Sequence, residues 1–154
     1  MHARILVRVQ KESFDAAVEA ARLTQGRTNI GALVSFTGLC RDEGGALAAL
    51  EIEHYPGMAE AEINRAALAA ASRWPLEAVF AVHRFGLIRP GEGIVLVVTA
   101  SQHRTEAFAA ASFLMDYLKS EAPFWKKRHL ADNGPGDWVE ARALDHAAAE
   151  KWRA

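Results

Sequence analysis

A single cysteine, Cys40, stands among 154 residues, so no internal disulfide framework holds this chain together. Neither sign of charge is in excess: 18 Lys and Arg face 19 Asp and Glu, a formal net charge of −1. There is no global field of the kind that gathers nucleic acid or an anionic membrane, and any anion binding must come from a local cluster. No stretch approaches the roughly 18 apolar residues that span a bilayer. The apolar run in Met1-His-Ala-Arg-Ile-Leu-Val-Arg is too short for the h-region of a secretory signal, so a cytoplasmic protein is expected. The six histidines show neither H-E-x-x-H nor Cys/His ligand spacing, and no metal or cofactor is expected. A G-x-S-x-G elbow and a Walker-type loop are also missing, and Gly91-Glu-Gly93 reads as a turn.

What is present is an ordinary globular balance, 51% hydrophobic and 24% charged. The length fits one domain over 1–154, with no repeat, low-complexity tract or linker to divide it. Arg4–Val9 reads as a strand. Ser13 then reads as the N-cap of a helix carrying Phe14, Ala17, Val18 and Ala21 at helical spacing. Ile30–Cys40 alternates like a strand, and Asp42-Glu43-Gly44-Gly45 is a polar loop. Leu50 and Ile52 alternate with Glu51 and Glu53, as in a strand with one wet face. After the Tyr55-Pro56-Gly57 turn, an apolar stripe from Ile63 to Trp74 marks a helix that Pro75 stops. Val79–Phe85 and Ile94–Thr99 are strands joined through Pro90-Gly91, and the second is apolar at nearly every position, as expected of a strand covered on both faces. A long helix runs from about Gln102 to Glu121, with Phe108, Ala111, Met115 and Leu118 turned to the core. Trp138–Ala141 reads as a last strand and Asp145 as the cap of a terminal helix. The Pro-Gly turn implies antiparallel pairing, so the expected class is α+β.

Basic residues carry the candidate chemistry. His103 and Arg104 fall in the first turn of the long helix, with Ser101 as its expected N-cap. Two cationic side chains beside free backbone N–H groups make an anion site suited to phosphate; the plainer reading is two surface residues pointing at water. Lys119 lies in the last turn, where a lysine also simply complements the helix dipole. Lys126, Lys127 and Arg128 follow Pro123, Phe124 and Trp125. A lysine crowded by other cations or partly desolvated by aromatics loses its proton more easily and can act as an acid, base or nucleophile near neutral pH. Arg41 ends a strand at the lip of the glycine loop, a common place for a substrate-binding residue. Cys40 beside it reads as a buried, inert thiol.

In order along the chain stand His54-Tyr-Pro-Gly-Met58, His83-Arg-Phe-Gly with Pro90-Gly-Glu92, Ser101-Gln-His-Arg104, Met115-Asp-Tyr-Leu-Lys119, Ala122-Pro-Phe-Trp-Lys126 and Trp138-Val-Glu-Ala141. This series, spread over Ile30 to Arg142, closely resembles the catalytic (large) subunit family of molybdopterin synthase. The resemblance implies an α/β hammerhead-type domain with an additional antiparallel β subdomain. It implies a sulfurtransferase that converts cyclic pyranopterin monophosphate to molybdopterin, the dithiolene-bearing ligand of the molybdenum cofactor. The implied partners are a small ubiquitin-like sulfur-carrier subunit with a C-terminal Gly-Gly thiocarboxylate and a second copy of this chain, in a heterotetramer. By motif, Lys119 and Lys126 are the implied catalytic residues. Leu39, Cys40, Arg41, His103, Arg104, Lys127 and Arg128 join both lysines in the implied substrate site.

Three positions depart from the family pattern. Cys40 stands where an apolar residue is expected, Gln102 where a small one is, and Arg128-His129 where an acid is common, which puts Arg128's contact in doubt. On these residues the expected division of labour has Arg41, His103 and Arg104 holding phosphate and pterin, Lys119 working as acid–base group and Lys126 supporting it electrostatically. Helix geometry adds a constraint. Arg104 and Lys119 on one continuous helix lie about 22 Å apart at ~1.5 Å rise per residue, further than one pterin phosphate spans. The expectation is therefore a site shared across a two-fold dimer. Two other classes of function remain open from sequence: a non-catalytic scaffold for a ubiquitin-like tail, and a phosphate-ester enzyme that needs no sulfur donor.

Overall fold

The computed structural model describes residues 3–134, 136–139 and 143–153. Its elements run β1 (Arg4–Gln10), α1 (Ala16–Thr24), β2 (Ala32–Leu39), β3 (Leu47–His54), α2 (Met58–Arg73), β4 (Leu76–Arg84), β5 (Gly86–Ile88), β6 (Gly93–Ser101), α3 (Arg104–Ser120), β7 (Phe124–Leu130), β8 (Trp138–Val139) and α4 (Ala143–Glu150). The strands form two four-stranded sheets, ordered β1-β4-β6-β2 and β5-β3-β7-β8. β1 pairs with β4 in parallel, and every other pairing is antiparallel. The α+β class holds, and the second sheet is the additional antiparallel one.

The central strands β4 and β6 are covered on both faces, as the apolar run of β6 requires. Val79, Ala81, Val95 and Val97 point to a core shared with Ile63, Ala66 and Ala70 of α2 and Ala110, Leu114 and Leu118 of α3. Their neighbours Phe80, Val82, Leu96 and Val98 point the other way, onto Leu23 of α1. Alternation in a continuous apolar strand therefore divides it between two cores. Leu47, Ile52 and Ile88 bring the second sheet onto the first of these cores.

Several local expectations change. The cap of α1 is Asp15, whose carboxylate accepts from the Val18 N–H at 3.1 Å; Ser13 lies outside the helix. Phe14 also precedes that helix, and its ring fills the space that a Cβ on Gly93 would occupy, 2.7 Å away. The cap position of α3 is His103, with no side-chain cap bond, while Ser101 ends β6 and directs its hydroxyl to the His103 carbonyl. Phe108 is 62% exposed rather than turned to the core. A helical period defines an apolar stripe but not how far the covering surface extends along it. Asp145 lies inside α4, not before it. Of the expected strand Trp138–Ala141, Trp138–Val139 forms β8 and the rest falls outside the described residues.

The segment after Pro123, for which no element is expected from its sequence, is the strand β7. β7 pairs with β3 from Phe124↔His54 to Leu130↔Leu47. That pairing decides which of its cations share a face.

Candidate active site

β7 alternates, so Phe124, Lys126 and Arg128 leave one face and Trp125, Lys127 and His129 the other. The first face looks toward the end of α3. There Lys119, Lys126 and Arg41 open onto one cavity of about 510 Å³, with Leu39 and Ile94 among its apolar walls. Arg41 arrives from the end of β2 and Lys119 from the last turn of α3. Arg41 and Lys119, 78 positions apart in sequence, thus face one space because α3 packs against β2.

Arg128 also lines this cavity, but it is held by carboxylates. Glu43 reaches it at 3.1 Å and Asp137 at 3.5 Å. Glu43 comes from the glycine loop, where Glu43, Gly44 and Gly45 all adopt positive φ (54°, 71° and 91°). Gly44 and Gly45 take this conformation freely, while Glu43 adopts it at a cost as its carboxylate pairs with Arg128. Lys127 points away on the opposite face, its Nζ 5.9 Å from the Trp138 ring centroid.

A smaller recess of about 50 Å³ lies deeper, lined by both lysines together with Met115, Leu118 and His83. Burial pushes the His83 imidazole down to about 3, and the charges of Lys126 and Lys119 add to that push. The ring is neutral at physiological pH.

Cys40 is 3% exposed, and its thiol faces the carbonyls of Arg41 and Ile88, each at 3.8 Å. Its side chain does not join the cavity lining that its neighbours Leu39 and Arg41 form. Burial raises the thiol above its ordinary value, so at neutral pH it stays protonated and a poor nucleophile. Cys40→Ser is expected to keep turnover within about threefold of wild type, since a buried, protonated thiol is a poor nucleophile and the change removes no large side chain from the core. A folded serine variant without activity would return sulfur chemistry to Cys40.

His103 and Arg104 are not brought to the lysines. His103 borders a separate hollow with Leu76, Glu77 and Glu106 at the far end of α3. One chain holds the two halves of the expected site apart.

Sequence reasoning missed His83, Glu43 and Asp137 as neighbours of the lysines. His83 stood in a recognisable motif, but nothing in its spacing points to residues 36 and 43 positions away. Glu43 lay in a loop whose partner is set by the second sheet.

An α+β fold whose second sheet and helix end gather two lysines and an arginine around one cavity defines a subunit with a cationic pocket. Comparison with known proteins is specific: the MoaE protein family matches residues 9–121, and the chain belongs to that family. It is 64% identical over 147 residues to the molybdopterin synthase catalytic subunit of Mesorhizobium japonicum, spanning 96% of this chain and 92% of the relative. Among solved structures it is similar to the molybdopterin biosynthesis MoaE protein from Burkholderia ambifaria, with a TM-score of 0.83, 44% identity and coverage of 97% and 99% of the two chains. It is also similar to molybdopterin synthase from Staphylococcus aureus, with a TM-score of 0.77, 27% identity and coverage of 86% and 95%.

Proposed function

We propose that this chain is the catalytic subunit of a molybdopterin synthase. It moves sulfur from the C-terminal thiocarboxylate of a small ubiquitin-like carrier to cyclic pyranopterin monophosphate, building a dithiolene. The observation that carries this reading is the shared cavity of Lys119, Lys126 and Arg41. A thiocarboxylate and a phosphate are both anions, and three cations lining one cavity attract such groups.

In this reading Arg41, with Leu39 beside it, takes the pterin phosphate. The thiocarboxylate sulfur of one carrier attacks a side-chain carbon of the pterin and a C–S bond forms as a C–O bond breaks. A second carrier supplies sulfur to the neighbouring carbon, and across the two transfers one oxygen leaves as water while the other stays with the phosphate as the cyclic ester opens. Lys119 donates the proton that the departing oxygen needs, and Lys126 stabilises the charge that shifts between them. Water then cleaves the acyl–sulfur bond and frees the carrier as a carboxylate. Arg128 holds the loop through Glu43, and Lys127 supports β8 from outside the cavity. The buried thiol of Cys40 has no step in this scheme.

His103 and Arg104 enter from a second copy of the chain. About 22 Å of helix separates Arg104 from Lys119 within one chain, so a two-fold pair lets the start of one α3 complete the site at the end of the other. Phe36 on the edge strand β2 and Phe108 on α3 are both exposed, apolar area that a second copy could cover. The chain acts as a single domain in the cytoplasm. Among the described residues no helix is long and apolar enough to cross a membrane.

The test mixes purified chain, thiocarboxylated carrier and pterin precursor and assays the dithiolene product. Product is expected only with all three. Carrier binding without product would favour a scaffold, and turnover of the pterin phosphate without carrier would favour a phosphate-ester enzyme.

A further inference from the structure

His83 is the one buried histidine among the described residues, 6% exposed on β4. Buried polar atoms in a packed sheet require partners. Its Nδ1 lies 2.8 Å from the Arg84 carbonyl oxygen. A carbonyl only accepts, so Nδ1 carries the hydrogen and Nε2 keeps a lone pair. The ring stacks on Phe124 with centroids 3.7 Å apart and planes within 13°. Phe124 and Lys126 leave β7 on the same face, so the lysine stem emerges beside the imidazole it shares a recess with. Lys119 borders the same recess from α3.

We propose that His83 is a positioning residue of the lysine cavity: its Nε2 lone pair accepts a hydrogen from the Lys126 ammonium and sets where that amine points. The choice of group has a physical reason. An aspartate or glutamate at this place would orient the lysine too, but it would cancel the charge that attracts the substrate. The nearby carboxylates Glu43 and Asp137 are held instead by Arg128. A neutral imidazole orients an ammonium and leaves its charge in place. The cavity keeps its cations, and they keep a direction.

The proposal deepens the sulfur-transfer reading and rests on it for its kinetic arm only. The first arm is structural: 15N NMR of the His83 ring in the wild-type chain and in Lys126→Met. The Nδ1–H tautomer is expected at pH 7 in both. The Nε2 resonance is expected to move downfield in Lys126→Met, as a lone pair does on losing a hydrogen bond. An unchanged Nε2 resonance overturns the proposal, whatever the enzyme assay gives. The second arm compares His83→Phe, which keeps the stack and loses the acceptor, with His83→Gln, which supplies an amide oxygen. His83→Phe is expected to lower kcat by about tenfold to a hundredfold, as misplacement of a catalytic group does, with KM changed less than about twofold. His83→Gln is expected to recover most of that loss. Wild-type kcat in a folded His83→Phe variant contradicts the proposal, and if that variant does not fold, the NMR comparison decides. A wild-type chain that makes no dithiolene refutes the sulfur-transfer reading while leaving the NMR arm intact.

Discussion

Lys119→Ala is expected to lower dithiolene formation by about 10²–10⁴-fold, the usual range for removing a positioned acid–base group, while leaving the fold intact. The two halves of this expectation rest on different observations. The side chain is exposed at the last turn of α3 and makes no ion pair among the described residues, so truncation removes little packing. Its structural role is that of a cation near the helix C-terminus, worth about 0.3–1 kcal/mol. Its other surroundings are a cavity shared with Lys126 and Arg41. Lys119→Arg separates proton transfer from charge. It preserves the dipole partner and the positive charge, but a guanidinium does not release a proton near neutral pH. If Lys119 works as an acid–base group, the arginine variant stays nearly as slow as alanine. If it only holds an anion, arginine restores most activity. Steady-state kinetics with thermal unfolding reads both. Alanine activity within a few fold of wild type would remove Lys119 from the chemistry.

The second large effect is a recovery. Lys119→Ala and His103→Ala homodimers are each expected to be nearly inactive. Mixed in equal amounts and allowed to exchange subunits, they are expected to regain about a quarter of wild-type activity. Random exchange makes half of the dimers mixed. Each mixed dimer then has one site with both wild-type halves and one with neither. The geometric basis is the separation seen within one chain, where Lys119 faces the large cavity while His103 borders a hollow with Glu77 and Glu106 at the other end of α3. Native mass spectrometry verifies the exchange. Mixed dimers with no activity would mean that each chain uses its own residues, and that His103 and Arg104 act elsewhere or not at all.

The long helix was legible because its signals are local. An apolar stripe, a basic pair at one end and Pro123 beyond the other define α3 to within two residues at its start, and they alone force the question of how its two ends meet one substrate. The buried strand β6 was legible for the same reason: an unbroken apolar run has to be covered twice. β7 was not. Its Phe-Trp-Lys-Lys-Arg carries the mixture of aromatics and charge found in many loops, and only hydrogen bonding to β3 makes it a strand. Once it is a strand, its lysines part company. Lys126 joins Lys119, and Lys127 turns to Trp138.

The sequence by itself determined the class of fold, the cations that could do chemistry and, through the order of their motifs, the family to which they belong. Patterns of that kind survive in one dimension because helix periods, strand alternation and turn residues act over a few neighbours. Which cations share a cavity, that Arg128 is occupied by Glu43, that Cys40 is sealed away and that His83 lies beneath the lysines were decided by tertiary structure alone. Those relations join residues tens of positions apart through sheet register and packing, and side-chain direction in a strand reverses with a shift of one residue.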